Sequence, residues 1–319
     1  MYRIGILGSE NSHASAFSEI FNKPDENGVF KYPDCHVVAV GGHYPESNQE
    51  VFEKYGLDFI AEKPEDMLGK VDAVMVTARD GKFHPEFARP FVEAGLPLFI
   101  DKPFAVDRDE ALALAKLAKS KHVPLVGGSS VKQTYDIRMM QHTVKSGLGG
   151  IHGGCVAAPV SMHNDYSGFF FYSSHLAEMS LTIFGYDPKA VTAFRNGDDV
   201  TVVVEYDKYD VTNHFMLLPP SGFLLHNEGT KDAVRDFVNT VKLCREFRRA
   251  GETEHDIVTF DFLVDRVRKS TLAPIINVVH CRAGFDHRLE LFDNCSSSLI
   301  AVLDGNDQNT FVSIFHFGH

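Results

Sequence analysis

A chain of 319 residues with 44% apolar and 23% charged positions has the composition of a soluble globular protein, and its length favours two domains. A net charge of −12 argues against the basic stripe that a nucleic-acid or anionic-membrane surface needs. No run approaches the roughly 18 apolar residues of a membrane span, and the five cysteines are scattered without a Cys-x-x-Cys pair. A disulfide framework is therefore not expected, and a reducing cytoplasmic setting is.

The opening residues Met1 to Gly8 read as a strand rather than a secretory leader, with Ile4–Leu7 buried. A polar turn leads to a helix around Ala14–Phe21, and Pro24, Gly28 and Pro33 mark a loop. Val37–Val40 is the second strand. Glu46 to Tyr55 is a helix stopped by Gly56, which tolerates the left-handed conformation. Val71–Val76 is a further strand, followed by a helix over Pro85–Ala94 that ends at Gly95. Pro90 lacks a backbone donor, so a kink or a late start is expected there. The apolar run Leu96 to Ile100 ends in Asp101-Lys102-Pro103. Asp107 and Glu110 then form a capping box ahead of a helix whose apolar face is Ala111, Leu112, Leu114, Ala115 and Ala118. Pro124-Leu125-Val126 is a short strand closing with Gly127-Gly128. Alternating strands and helices predict a doubly wound parallel sheet over residues 1–128.

Beyond about residue 150 the pattern changes. Val191–Phe194, Val200–Tyr206, Val211–Leu217 and Phe223–Asn227 follow one another with short polar turns, which predicts a largely antiparallel sheet and an α+β domain over residues 129–319. A helix is expected near Asp232–Arg249. The stretch from Cys281 onward receives no role.

Parallel sheets of this kind bind ligands in the crevice beyond the carboxyl ends of the strands. Lys102 follows such an end directly, which makes it the first candidate for chemistry.

Several stretches in order resemble the Gfo/Idh/MocA family of oxidoreductases, which includes glucose–fructose oxidoreductase and inositol dehydrogenase. They are Asp-Ala-Val-Met-Val-Thr-Ala (72–78) before His84-Pro85; Glu93-Ala94-Gly95 before a strand; Asp101-Lys102-Pro103, similar to the family's Glu-Lys-Pro; and Ser173 to Glu178, similar to its Gly-x-His-x-x-Asp helix start. The resemblance implies a Rossmann domain that binds NAD or NADP and a second domain whose sheet forms homo-oligomers. It also implies hydride transfer at a hydroxyl-bearing carbon of a sugar, cyclitol or similar small molecule. His175 would then take the hydroxyl proton, a task suited to a group with an unperturbed pKa of about 6.5, and Lys102 would bind the reacting oxygen. Cofactor contacts are implied for Gly8, Ser9, Glu10, Asn11, His13, Gly42, Thr77, His84 and Lys102. No metal is expected, because His175 and Glu178 lack a third ligand.

Three positions depart from the family. The dinucleotide fingerprint Gly-x-Gly-x-x-Gly/Ala stands here as Gly8-Ser9-Glu10-Asn11-Ser12-His13, with a carboxylate and an imidazole where glycines belong. Gly42 occupies the place of the acid that grips the adenosine ribose. Phe171 replaces the aspartate four residues before the histidine, within the run Gly168-Phe169-Phe170-Phe171-Tyr172, and Asp165 is a candidate substitute. The aromatic run is also compatible with a more apolar substrate. The alternative to an active dehydrogenase is a relative that has lost catalysis and serves as a ligand-binding or regulatory protein.

Overall fold

The computed structural model describes residues 1–146 and 151–217, together with two strands at 299–304 and 311–316. The first unit runs β1 (Tyr2–Leu7), α1 (Ser12–Asn22), β2 (Cys35–Gly41), α2 (Pro45–Tyr55), β3 (Phe59–Ala61), β4 (Ala73–Val76), α3 (His84–Ala94), β5 (Leu98–Ile100), α4 (Arg108–Ser120) and β6 (Leu125–Gly127). All six strands pair in parallel in the order β3-β2-β1-β4-β5-β6. The chain winds outward from β1 in one direction and, after crossing to β4, in the other, so a crevice opens where β1 and β4 diverge.

Such a sheet is apolar on both faces because helices cover both. On one face Phe17 and Phe21 of α1 and Val51 and Tyr55 of α2 pack on Ile4, Ile6, Val37 and Met75. On the other, Phe87, Phe91 and Val92 of α3 and Leu114 and Ala118 of α4 pack on Val74, Val76, Leu98 and Ile100. Helix α3 runs from His84 to Ala94 with Pro90 inside it, so of the two alternatives expected there the late start does not occur. Proline forfeits one backbone hydrogen bond, and burial of four residues of the helix's apolar face outweighs that loss.

Strand β3 has only three residues, too few to display a period, and the sequence reading passed over it. It reaches only from Ala39 to Gly41 of β2. The outward backbone groups of Val37 are met instead by Asn22, whose amide donates to the Val37 carbonyl at 2.8 Å and accepts from its N–H at 2.9 Å.

Gly127 ends β6 at φ +135°, and a Cβ there would lie 1.9 Å from the Ile100 carbonyl oxygen. Gly127→Ala is expected to lower unfolding stability by about 2–4 kcal/mol, because it combines backbone strain with a backbone collision. A urea-unfolding midpoint equal to that of the parent would contradict this packing.

The second unit contains α5 (Tyr135–Ser146), β7 (Ile151–Val160), α6 (Phe170–Phe184), β8 (Ala190–Asn196), β9 (Asp199–Glu205), β10 (Asp210–Leu217), β11 (Leu299–Asp304) and β12 (Phe311–His316). The sheet order is β12-β11-β7-β10-β9-β8. Pairing is antiparallel except between β7 and β10, so the sheet is mixed and largely antiparallel. Alternate residues Val200, Val202 and Val204 of β9 join Leu176, Met179 and Ile183 of α6 in one core. The strand expected at Phe223–Asn227 and the helix near Asp232–Arg249 lie outside the described residues. The segment left without a role contains β11 and β12, and β11 pairs directly with β7.

Candidate active site

Three turns meet at the crevice: those after β1, β4 and β5. Gly8 stands at φ +98°, and a Cβ on it would come within 2.2 Å of the Ala78 nitrogen. Gly42, at φ +136°, faces it, with a would-be Cβ 3.1 Å from the Gly8 nitrogen. The two glycines let the ends of β1, β2 and β4 close on one another. Thr77 is fully buried and donates to the Gly8 carbonyl at 2.6 Å. Ser9 donates to Asn48 Oδ1 at 2.6 Å, and Asn48 Nδ2 in turn donates to the Gly42 carbonyl at 3.1 Å.

Asn11 caps α1 by accepting from the His13 N–H at 2.7 Å, and its amide donates to the Thr77 carbonyl. Glu10 is committed to the turn after β4, where Oε1 accepts from the Arg79 N–H at 2.8 Å and Oε2 is buried without a hydrogen-bond partner. His13, in the place of the third fingerprint glycine, reaches across to Asp101 with Nδ1 on Oδ2. Burial would raise the Asp101 carboxyl, but the His13 imidazole and then Lys102 more than reverse this. It is held well below the ordinary carboxylate range.

Lys102 is 8% exposed. Its ammonium donates to the Phe171 carbonyl at 3.4 Å and lies 4.5 Å from the Phe171 ring centroid and 5.9 Å from that of Tyr172. Burial pushes its pKa down; Asp101 opposes the shift and Arg79 adds to it. Arg79 in turn donates to the Tyr166 hydroxyl at 3.1 Å and stacks over that ring at 5.1 Å.

His84 does not join this group. It is fully buried, with Nδ1 on the Pro103 carbonyl at 2.6 Å and Nε2 on the Ala78 carbonyl at 2.9 Å. Burial holds its pKa below the usual imidazole value, against the pull of Asp101 and those carbonyls. With both ring nitrogens occupied, its work is to tie the turn after β4 to the turn after β5. The expectation that it contacts a cofactor gives way to that structural task.

Helix α6 begins at Phe170, earlier than the start read from Ser173 to Glu178, so His175 falls in its second turn. His175 is 1% exposed, and its Nδ1 is 2.7 Å from Ser129 Oγ. One turn on, Glu178 accepts from the Ser129 N–H at 2.9 Å and pairs with Lys132, which also donates to the Gly127 carbonyl at 2.7 Å. This network pins α6 to the carboxyl end of β6. Phe171 lies one turn before His175. The Tyr172 ring stands 6.1 Å from the His175 ring, and its centroid lies 5.9 Å from the Lys102 ammonium. Lys102, 73 positions before His175 in the chain, thus packs on the first turn of the helix that carries His175. Asp165 is exposed and has no such contact. Among the described residues no cluster of three His, Cys, Asp or Glu side chains is arranged to hold a metal ion, and no helix is long and apolar enough to cross a membrane.

Ser129, Lys132, Arg79 and Tyr166 were not singled out in the sequence. A signal for two of them was present: Ser129 stands two residues past β6, as Lys102 does past β5, Arg79 stands three past β4, and the same crevice rule covers all three.

A parallel sheet with its crevice at the switch point, joined to a mixed sheet that lays a helix over the carboxyl ends of its strands, defines a Rossmann-type fold with a second α+β unit. Residues 2–129 match the family model described as "Oxidoreductase family, NAD-binding Rossmann fold". Over those residues the chain is similar to the Rossmann domain of the Gfo/Idh/MocA oxidoreductases. Its fold is shared by a probable dehydrogenase from Thermotoga maritima (TM-score 0.59, 18% identity, 69% of this chain and 70% of that one). It is shared as well by KijD10, a 3-ketoreductase from Actinomadura kijaniata (TM-score 0.64, 13% identity, 84% and 96%). A third example is an NAD binding oxidoreductase from Klebsiella pneumoniae (TM-score 0.57, 18% identity, 67% and 66%). No curated protein sequence matches the chain.

Proposed function

We propose that the protein is an NAD(P)-dependent oxidoreductase that transfers hydride to or from a hydroxyl-bearing carbon of a sugar, cyclitol or related small molecule. The observation that carries this reading is Lys102, a nearly buried ammonium just past the end of β5 that shares the Tyr172 ring as a neighbour with His175, at the crevice of a fold matched by an NAD-binding family model. The structure of KijD10, a 3-ketoreductase of the same fold, is of a complex with TDP-benzene and NADP, which supports a nicotinamide cofactor.

The residues around the crevice fit a dinucleotide. Gly8 and Gly42 keep its wall free of side chains, and Glu10, whose carboxylate would repel a pyrophosphate, is held by the Arg79 N–H. Gly8, Ser9, Glu10, Asn11, His13 and Thr77 would surround the phosphates at the first turn of α1, where unpaired N–H groups favour anions. Gly42 would lie by the adenosine ribose and Lys102 by the nicotinamide end. The nicotinamide, when bound, accepts the hydride from the carbinol carbon or returns it. Lys102 binds the oxygen on that carbon and stabilises the charge that grows as its proton departs. His175 takes that proton on Nε2, while the Ser129 hydroxyl, 2.7 Å from Nδ1, holds the ring in place and can accept from the Nδ1–H that such a base carries. The carbon loses one hydride and its oxygen one proton, leaving a carbonyl. In this reading residues 1–128 form the cofactor domain, and residues 129–319 the domain that completes the substrate site and forms the homo-oligomer.

Like charges 4 Å apart repel by about 1 kcal/mol in water and by several times that in a cleft. A Glu10 lying against the phosphates would therefore make Glu10→Gln bind nucleotide at least about fivefold more tightly. With Glu10 committed to Arg79, the expected change in NADH affinity is less than about threefold, read by fluorescence titration. The whole reading is tested by the same titration with NADH and NADPH. Absence of binding at millimolar nucleotide would discard it in favour of a ligand-binding protein without redox chemistry, the reading that the missing acid at Gly42 favours.

A further inference from the structure

We infer that the site is built for an anionic substrate, a sugar acid or similar polyol carboxylate whose charged group binds between Arg79 and Lys102. The inference rests on the proposed function only for the place where substrate binds.

Two cations reach the same aromatic wall from the ends of adjacent strands. Arg79 lies on Tyr166 and Lys102 on Phe171, and those two rings are 5.2 Å apart. Neither cation forms an ion pair among the described residues. The carboxylates nearby are all engaged elsewhere. Asp101 is turned to His13, Asp80 to Lys82 and to the Ser167 hydroxyl, and Glu10 to the backbone N–H of Arg79. The Lys102 ammonium has three protons to donate, and its single acceptor is the Phe171 carbonyl at the long distance of 3.4 Å. Arg79 directs one donor to the Tyr166 hydroxyl and has four more in its planar fork.

A buried ammonium with one long hydrogen bond and a second cation close by is unfavourable in the absence of ligand, and the lowered pKa of Lys102 records that cost. A neutral polyol would offer oxygen lone pairs but no compensating charge. A carboxylate offers both, and its geometry matches the guanidinium fork. The chain's net charge of −12 would otherwise repel such a substrate, so local cations are the means of admitting one. The rings of Tyr166, Phe171 and Tyr172 stand in sequence, with Phe171 and Tyr172 centroids 4.7 Å apart. They supply an apolar face for the carbons of a pyranose or cyclitol.

The pyrophosphate of a dinucleotide carries similar charge, so the test is made on the full-length protein both with and without saturating NADH. The probes are D-glucuronate and D-glucose, which differ in the carboxylate alone, and binding is read by calorimetry. D-Glucuronate is expected to bind about tenfold or more tightly than D-glucose in both conditions, the value of a charge-assisted hydrogen bond. Arg79→Met is expected to abolish the preference and Arg79→Lys to restore part of it. Equal affinities, binding of neither probe at millimolar concentration, a preference that survives Arg79→Met, or one that NADH eliminates would each overturn the inference. A preference that holds while nucleotide fails to bind would overturn the redox reading and leave this one standing.

Discussion

Lys102→Met is expected to reduce kcat/KM by about 10²–10³-fold, the loss seen when a single group stabilising a developing oxyanion is removed. The same substitution leaves the fold as stable as before or more so. Lys102 is buried beside Arg79 and makes one long hydrogen bond, so its charge opposes folding at neutral pH. The sign follows from linkage. Its folded pKa lies below the unfolded value, the unfolded chain binds the proton more tightly, and the cost is relieved as the pH rises through that lowered pKa. A cation is needed to hold the reacting oxygen, so activity in the parent should fall on the alkaline side earlier than an ordinary lysine, near 10.4, would allow. Steady-state kinetics and thermal unfolding of one variant check both halves. A Lys102→Met protein that is folded and fully active would remove the lysine from the chemistry, and one that is markedly less stable would mean the ammonium holds the fold together.

The second large effect is at Asp101, the residue that joins the turn after β5 to α1. Asp101→Asn should cost about 1–3 kcal/mol at neutral pH, because it removes a buried carboxylate held by the His13 ring and the nearby Lys102 ammonium and leaves those groups without it. Its carboxyl is held below the ordinary range, so the stability it contributes is complete above the unfolded pKa of about 3.9 and is lost as the pH falls from there through the lower folded value. The difference in unfolding free energy between parent and Asp101→Asn should therefore narrow progressively below about pH 4. A difference independent of pH would point to packing instead of charge. A kinetic consequence accompanies it. Asp101 is the charge that opposes the effect of burial on Lys102, so the alkaline limb of kcat/KM should move to lower pH in Asp101→Asn. An unmoved limb would assign that limb to another group.

The architecture of the first unit was legible because its cues are local. Gly56 and Gly95 stop their helices in the left-handed conformation, Asp107 caps α4, and apolar runs alternate with helical periods. Where the cue is weak the reading failed. The three residues of β3 are too few for periodicity, and the local penalty at Pro90 was overruled by the packing of α3. Family motifs supplied Lys102 and His175, and the crevice rule agreed on Lys102.

Side-chain partners were a different matter. Motif position alone assigned His84 to the cofactor, whereas two backbone carbonyls brought together by the turns after β4 and β5 hold it in the core. Glu10 read as an obstacle to phosphate because the fingerprint says nothing of the Arg79 N–H, 69 positions away, that donates to it. His13, an imidazole where a glycine belongs, finds its partner in Asp101, 88 positions on. The polar partner at Nδ1 of His175 is Ser129, 46 positions earlier. By itself the sequence determined most strands and helices of the first unit, the parallel winding of its sheet, and the position of Lys102 at a strand end, since these follow from periodicity and from residues a turn apart. Only the tertiary structure decided which charges meet, which are turned away and which are left for a ligand, because hydrogen bonds and ion pairs act over a few ångströms and the turns that carry them come together only when the sheet has formed.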